Sequence, residues 1–128
     1  LSQLRGMPLK RDPSKRYEIL RNMWDKGIKF VSGMDSGMVN AHFNDFAYIP
    51  EVMVNKMGIS CLEAIKTSTF TSAECLGLQN LIGSISVGKQ ADLVIVQGDP
   101  SINIEDIHNV HTIFKSGKII KLNNEILV

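Results

Sequence analysis

Cysteine is scarce, with only Cys61 and Cys75 in 128 residues, and their spacing within helical-looking sequence suits neither a disulfide framework nor a zinc ribbon. Both read as reduced core thiols. No apolar run approaches the roughly eighteen residues of a membrane span, and the start lacks the pattern of a signal peptide. Cytoplasm is therefore the expected location, with no membrane partner. Neither sign of charge dominates, since 14 basic and 13 acidic side chains leave a formal charge of +1. That balance argues against the electrostatic footprint of nucleic-acid binding. Lys10, Arg11, Lys15, Arg16 and Arg21 do cluster, but mostly away from the apolar stripe of their helix, as a solvated face does. Trp24 is the only tryptophan and should pack its helix. Repeats, low-complexity segments and any His-x-His pair are absent.

What is present reads first as helix and strand in barrel order. Asp12-Pro13 makes a helix start, with Asp12 as cap and Pro13 at the first helical position; Tyr17, Leu20, Met23 and Trp24 share a face before Gly27 stops it. Ile28 to Gly33 follows at once, short and rich in β-branched and aromatic residues, as a buried parallel strand is. Met34 to His42 reads as a loop at the strand's C-terminal end. Phe43 to Met57 reads as helix interrupted at Pro50, in two pieces or with a kink. Ser60 and Glu63 have the spacing of a capping box, and a second short helix runs from about Ser72 to Leu76, stopping at Gly77.

From Leu81 the period changes to apolar runs separated by turn residues. Strands are expected at Leu93 to Gln97, Thr112 to Lys115, Lys118 to Leu122 and Glu125 to Val128. Ser116-Gly117 and Asn123-Asn124 are hairpin-type turns between the last three. Met53 and Met57, at helical spacing, read as core filler.

Two stretches go further than local structure. Gly33-Met34-Asp35-Ser36-Gly37 puts a carboxylate just beyond an apolar strand, and about fifty residues later comes Gly83-Ser84-Ile85-Ser86-Val87-Gly88-Lys89-Gln90-Ala91-Asp92-Leu93-Val94. In this order the pair resembles the C-terminal end of the amidohydrolase superfamily, nearest to its imidazolonepropionase-like and prolidase-like members. Leu62-Glu63-Ala64-Ile65-Lys66-Thr67-Ser68-Thr69 and Ala73-Glu74-Cys75-Leu76-Gly77-Leu78 look like helices of the same family, so the resemblance covers about residues 17 to 120. One departure is Met34, where the family usually has threonine; it bears on hydrogen bonding beside the carboxylate, not on the carboxylate itself.

The resemblance implies an α/β fold: the C-terminal fragment of a (β/α)8 TIM-type barrel, followed by strands of an accessory β-sandwich. Residues 1–80 would end the barrel, with strand eight at about 28–33 and the closing helices, and residues 81–128 would supply the sandwich strands. A complete barrel needs about 250 residues. The chain is thus expected to be a piece of a larger protein, with which the absence of a methionine at Leu1 agrees.

Asp35 is the candidate catalytic residue and metal ligand. From the residues alone, an aspartate between glycines serves as readily as a turn or cap residue. The resemblance implies more: a divalent metal, zinc by family default, that activates a water, with Asp35 as ligand and general base in hydrolysis of a carbon-nitrogen bond. Flanking Gly33 and Gly37 would let the backbone turn sharply. His42, in the loop expected to overhang the site, is a substrate-binding candidate, with a plain exposed loop histidine as the alternative. His108 and His111 precede a strand, where odd spacing sends side chains to opposite faces, so no metal site is expected from them. Lys89 and Asp92 read as structural, with Asp92 satisfying turn amides and Lys89 in solvent.

Hydrolytic metal centres generally use about three protein ligands or more, and the family's histidines come from barrel strands one, five and six, all upstream of Leu1. This segment alone is expected to be inactive, and its unpaired strand and sheet edges are expected to make it self-associate. Two alternatives stay open: a non-catalytic α/β interaction module derived from such an enzyme, and a change of reaction within the family, from cleavage of acyl dipeptides to ring opening of cyclic amides or deamination of heterocycles.

Overall fold

The computed structural model describes residues 12–37, 42–123 and 125–127. Helix α1, Pro13–Asp25, starts as its sequence dictates: Asp12 Oδ1 accepts from the Ser14 amide at 3.0 Å and from its hydroxyl at 2.6 Å. Its apolar face places Tyr17, Leu20 and Trp24 against a core of Met53, Met57, Ile59 and Ala64. Met23, assigned to the same face by its spacing, is instead exposed. Lys10 and Arg11 of the basic cluster lie outside the described residues.

A 3-10 turn, Phe43–Asp45, precedes α2, Tyr48–Met57. The expected two pieces are therefore there, but Pro50 does not divide them. It is the third residue of α2, buried in the first turn, where a missing N–H has no intrahelical partner to lose. Gly58 ends α2 at φ +67°, and Arg21 reaches over from α1 to donate to the carbonyls of Met57 (3.2 Å) and Gly58 (2.7 Å).

The next helical run changes pitch in its middle. Helix α3, Cys61–Lys66, is capped by Ser60, whose hydroxyl accepts from the Glu63 amide (3.4 Å) and donates to its carboxylate (2.7 Å). A π-helical turn, Thr67–Thr71, follows and runs on into α4, Ser72–Cys75. The run Thr67-Ser68-Thr69 and Ser72 supplies the local cause. Their hydroxyls bond the carbonyls of Ala64 (2.7 Å, from Thr67), Ile65 (2.9 Å, from Thr69) and Thr67 (2.6 Å, from Ser72). Such bonds compete with the regular ladder and loosen its pitch. Gly83 lies close against this turn: an added Cβ would lie 2.6 Å from Ala73 Cβ and 3.2 Å from Phe70 Cα.

Strands β1 (Leu93–Val96), β2 (Val110–Lys115), β3 (Lys118–Leu122) and β4 (Glu125–Ile126) form one antiparallel sheet in sequence order. β2 starts earlier than its expected bounds and takes in His111, while Asn124 and Val128 lie outside the described residues. Ser116 and Gly117, at φ +51° and +78°, close the β2–β3 hairpin with Lys115 opposite Lys118. The Asp92 carboxylate holds that hairpin from outside, accepting from the Ser116 amide at 2.8 Å and from Lys115 Nζ at 2.5 Å.

Two side chains depart from their expected settings. Lys89 is not in solvent: its Nζ donates to the Gln79 carbonyl and to Ser84 Oγ (2.6 Å), stitching the turn after Gly83 to the end of the helical run. Cys75 is exposed rather than in the core, because the π turn ends the buried face at Ala73; Cys61 is half-buried. A 3-10 turn, Ile104–His108, brings the sheet half back onto α2. Ile104 is buried, and His108 Nε2 lies 2.7 Å from Glu51 Oε2 with its ring tilted over Tyr48. No helix among the described residues is long and apolar enough to cross a membrane. The fold described is thus α/β with a small antiparallel sheet.

Candidate active site

The segment after α1 carries the candidate carboxylate. Among the described residues, Ile28 to Asp35 join no ladder. From Lys29 onward burial nevertheless alternates as a strand's does: Phe30, Ser32 and Met34 are half-buried, and Lys29, Val31, Gly33 and Asp35 are exposed, while Ile28 before them is exposed as well. The first set faces the helices. Phe30 packs on Trp24 with ring centroids 5.8 Å apart, and Ser32 meets Ser68 and Ser72. Val31, Gly33 and Asp35 are left on the open side, with Val31 48% exposed.

The chain turns at Asp35 itself, whose φ is +49°, and at Gly37, at +99°. Gly33, expected to allow the turn, has no positive φ, and an added Cβ there would meet nothing within 4 Å. Aspartate tolerates the left-handed region better than most residues because its short polar side chain bonds locally. Among the described residues no side chain hydrogen-bonds the Asp35 carboxylate.

His42 is exposed and stands at the N-terminal end of the Phe43–Asp45 turn. Its own amide donates to Asp45 Oδ2 at 3.0 Å, and its carbonyl accepts from the Asp45 amide at 3.0 Å. Residues 38–41, between it and Asp35, lie outside the described residues, and no contact joins the two side chains. His108 and His111 are held elsewhere, by Glu51 and by Thr112 Oγ1 at 2.7 Å. Among the described residues no three His, Cys, Asp or Glu side chains gather where a metal ion could sit. An exposed, unbonded carboxylate at the end of this segment fits one coordination position, and the described residues do not fit a whole metal site.

The hydroxyls of Ser32, Ser68 and Ser72 form a cluster that motif spacing does not reveal. Its sequence signal is the density of hydroxyl residues from Thr67 to Ser72, in a stretch otherwise helical by pattern.

Comparison with known proteins supplies the remaining context. The chain is 34% identical over 123 residues to the 5-methylthioadenosine/S-adenosylhomocysteine deaminase of Thermoanaerobacter pseudethanolicus, an alignment covering 81% of this chain and 28% of that protein. It is 29% identical over 84 residues to the imidazolonepropionase of Syntrophobacter fumaroxidans, covering 66% and 20%. In fold it is similar to the crystal structure of a Xaa-Pro dipeptidase with methionine bound in its active site, with a TM-score of 0.73, 32% identity, and coverage of 80% of this chain and 25% of that one. The chain therefore spans about a quarter of the length of these relatives. Residues 11–120 match the amidohydrolase family, and the chain belongs to it, on the branch of the imidazolonepropionase- and prolidase-like proteins.

Proposed function

We propose that the chain is the C-terminal part of a metal-dependent amidohydrolase that cleaves a carbon-nitrogen bond in a small molecule. In this reading Ile28 to Gly33 is the eighth strand of a TIM-type barrel, residues 1–80 close that barrel, and residues 81–128 contribute strands to an accessory β-sandwich. Family membership supports the barrel, and the deaminase, imidazolonepropionase and dipeptidase among its relatives support carbon-nitrogen chemistry. A cytoplasmic setting, with both cysteines free, belongs to the same proposal.

The observation that carries the reading is the placement of Asp35. It ends a segment of strand-like alternation, on the face that the helices leave open, with its carboxylate exposed and unbonded among the described residues. Barrel enzymes keep their chemistry at this end of their strands. One Asp35 oxygen would hold a divalent metal, zinc by family default, alongside ligands from the rest of the protein. The metal, when bound, supplies the acidification of the attacking water. The other Asp35 oxygen would accept a proton from the attacking water and pass it to the leaving nitrogen, which would depart as a neutral amine or ammonia. His42, at the turn beyond the loop, is proposed to meet the substrate's far end.

The test is Asp35→Asn in the complete enzyme, assayed against an acyl-proline dipeptide, an imidazolone and an adenosine-type nucleoside. Asparagine keeps the left-handed backbone and removes the proton acceptor. Turnover of whichever substrate is used should fall by about 10³-fold, with the melting temperature nearly unchanged. Full turnover by Asp35→Asn would refute the assignment.

A further inference from the structure

The π turn at Thr67–Thr71 is a costly irregularity in a helical run, and such turns gather at functional sites. Here its hydroxyls meet the segment that carries Asp35. Ser72 Oγ donates its only proton to the Thr67 carbonyl at 2.6 Å, which leaves lone pairs alone to face the segment, and the Ser32 amide donates to them at 3.3 Å. Beside it Ser32 Oγ and Ser68 Oγ lie 2.6 Å apart. The Ser32 N–H is a backbone donor on a segment without a ladder partner among the described residues, and the acceptor it meets there is the helix hydroxyl. The contact lies three residues before Asp35, and the turn at Asp35 begins where it ends.

We infer that Ser72, assisted by Ser68, is a positioning residue: the π turn aims its hydroxyl at Ser32 and so fixes the height and rotation at which Asp35 is presented. This rests on the proposed role of Asp35. Nothing in the arrangement has Ser72 touch the reacting atoms; it acts only through the backbone it holds. Gly83 also lies close against the π turn, where a side chain would meet Ala73, Phe70 and the Thr69 carbonyl.

The test uses Ser72→Ala and Ser72→Thr. Alanine favours a helix, so a purely structural role predicts that Ser72→Ala melts close to the unsubstituted chain and does nothing more. Positioning predicts that exchange of the Ser32 amide in this chain, followed by mass spectrometry with residue-level fragmentation, becomes about tenfold faster in Ser72→Ala. Ser72→Thr, which keeps the hydroxyl, should restore it. In the complete enzyme Ser72→Ala should lower kcat by about tenfold with KM little changed, since geometry at the reacting atoms is lost and not binding; Ser72→Thr should recover it. Unchanged Ser32 exchange in Ser72→Ala, or a kcat loss that Ser72→Thr does not recover, overturns the inference. Failure of the Asp35 assignment shows separately, as turnover retained by Asp35→Asn while the Ser32 exchange contrast persists.

Discussion

Asp92 shows how one exposed-edge carboxylate can hold a hairpin. The Lys115 ammonium, then the Ser116 amide, then the Gln90 amide group hydrogen-bond its charged form and lower its pKa from the ordinary 3.8 to about 2. A carboxylate with a depressed folded-state pKa contributes stability that is fully present above about pH 4 and is lost as pH falls toward 2. Thermal melts between pH 5 and 2 should therefore show a decline that Asp92→Asn reduces, with the two proteins converging at the acid end. A pH dependence identical in both would show that the bonds to Lys115 and Ser116 leave the folded state no preference for the ionised group. The structural role of Asp92 could be read in the sequence because an aspartate before a strand has few other uses. That of Lys89 could not, since its partners, the Gln79 carbonyl and Ser84, depend on how the chain folds back after Gly83.

Gly83 and the π turn belong to a larger scale, where one element shapes another. Adding a methyl group at Gly83 would bring it to 2.6 Å from Ala73 Cβ and 3.2 Å from the backbone of Phe70, at a φ of +90° that alanine resists. Gly83→Ala should destabilise the chain by about 2–3 kcal/mol, measured by urea unfolding, whereas Gly88→Ala, also at positive φ but with nothing within 4 Å, should cost only the backbone strain, about 1 kcal/mol. Equal losses would mean that packing against the π turn adds nothing. The starts of α1 and α3 and the end of α4 were legible because caps and stops are local: Asp12, Ser60 and Gly77 act on their own neighbours. Pro50 misleads because a proline ends one helix or begins another equally well, and only packing decides. The π turn escapes sequence reading for a similar reason, since hydroxyl residues in a helix usually face water.

At the scale of the molecule, apolar surface is unevenly distributed. Val31 on the open side of the Asp35 segment, and Val94 and Ile95 on the edge strand β1, are 48%, 60% and 48% exposed. Unpaired edges and apolar faces of this kind draw second copies. This chain on its own should therefore self-associate, seen as concentration-dependent species in sedimentation, and Lys29 to Val31 should exchange their amides rapidly at low concentration, unlike Ile28, whose amide donates to the Met23 carbonyl. A sharp monomer at all concentrations with those amides protected would contradict it. The candidacy of Asp35 could be read from the sequence because a glycine-flanked acid and a downstream strand motif come in a fixed order. The co-ligands that the proposed reading requires show in the sequence only as a shortage, because a metal site is assembled from strands far apart in a chain.

The clasp between His108 and Glu51, with Ile104 sunk beneath it, ties the sheet to the second helix at a point remote from the peptide that links them. Ile85 and Val87 stand in open solvent on that linking stretch. Scission of the backbone there would leave that clasp as a bond between two separate polypeptides, and their co-elution after cleavage would show that it suffices to hold them.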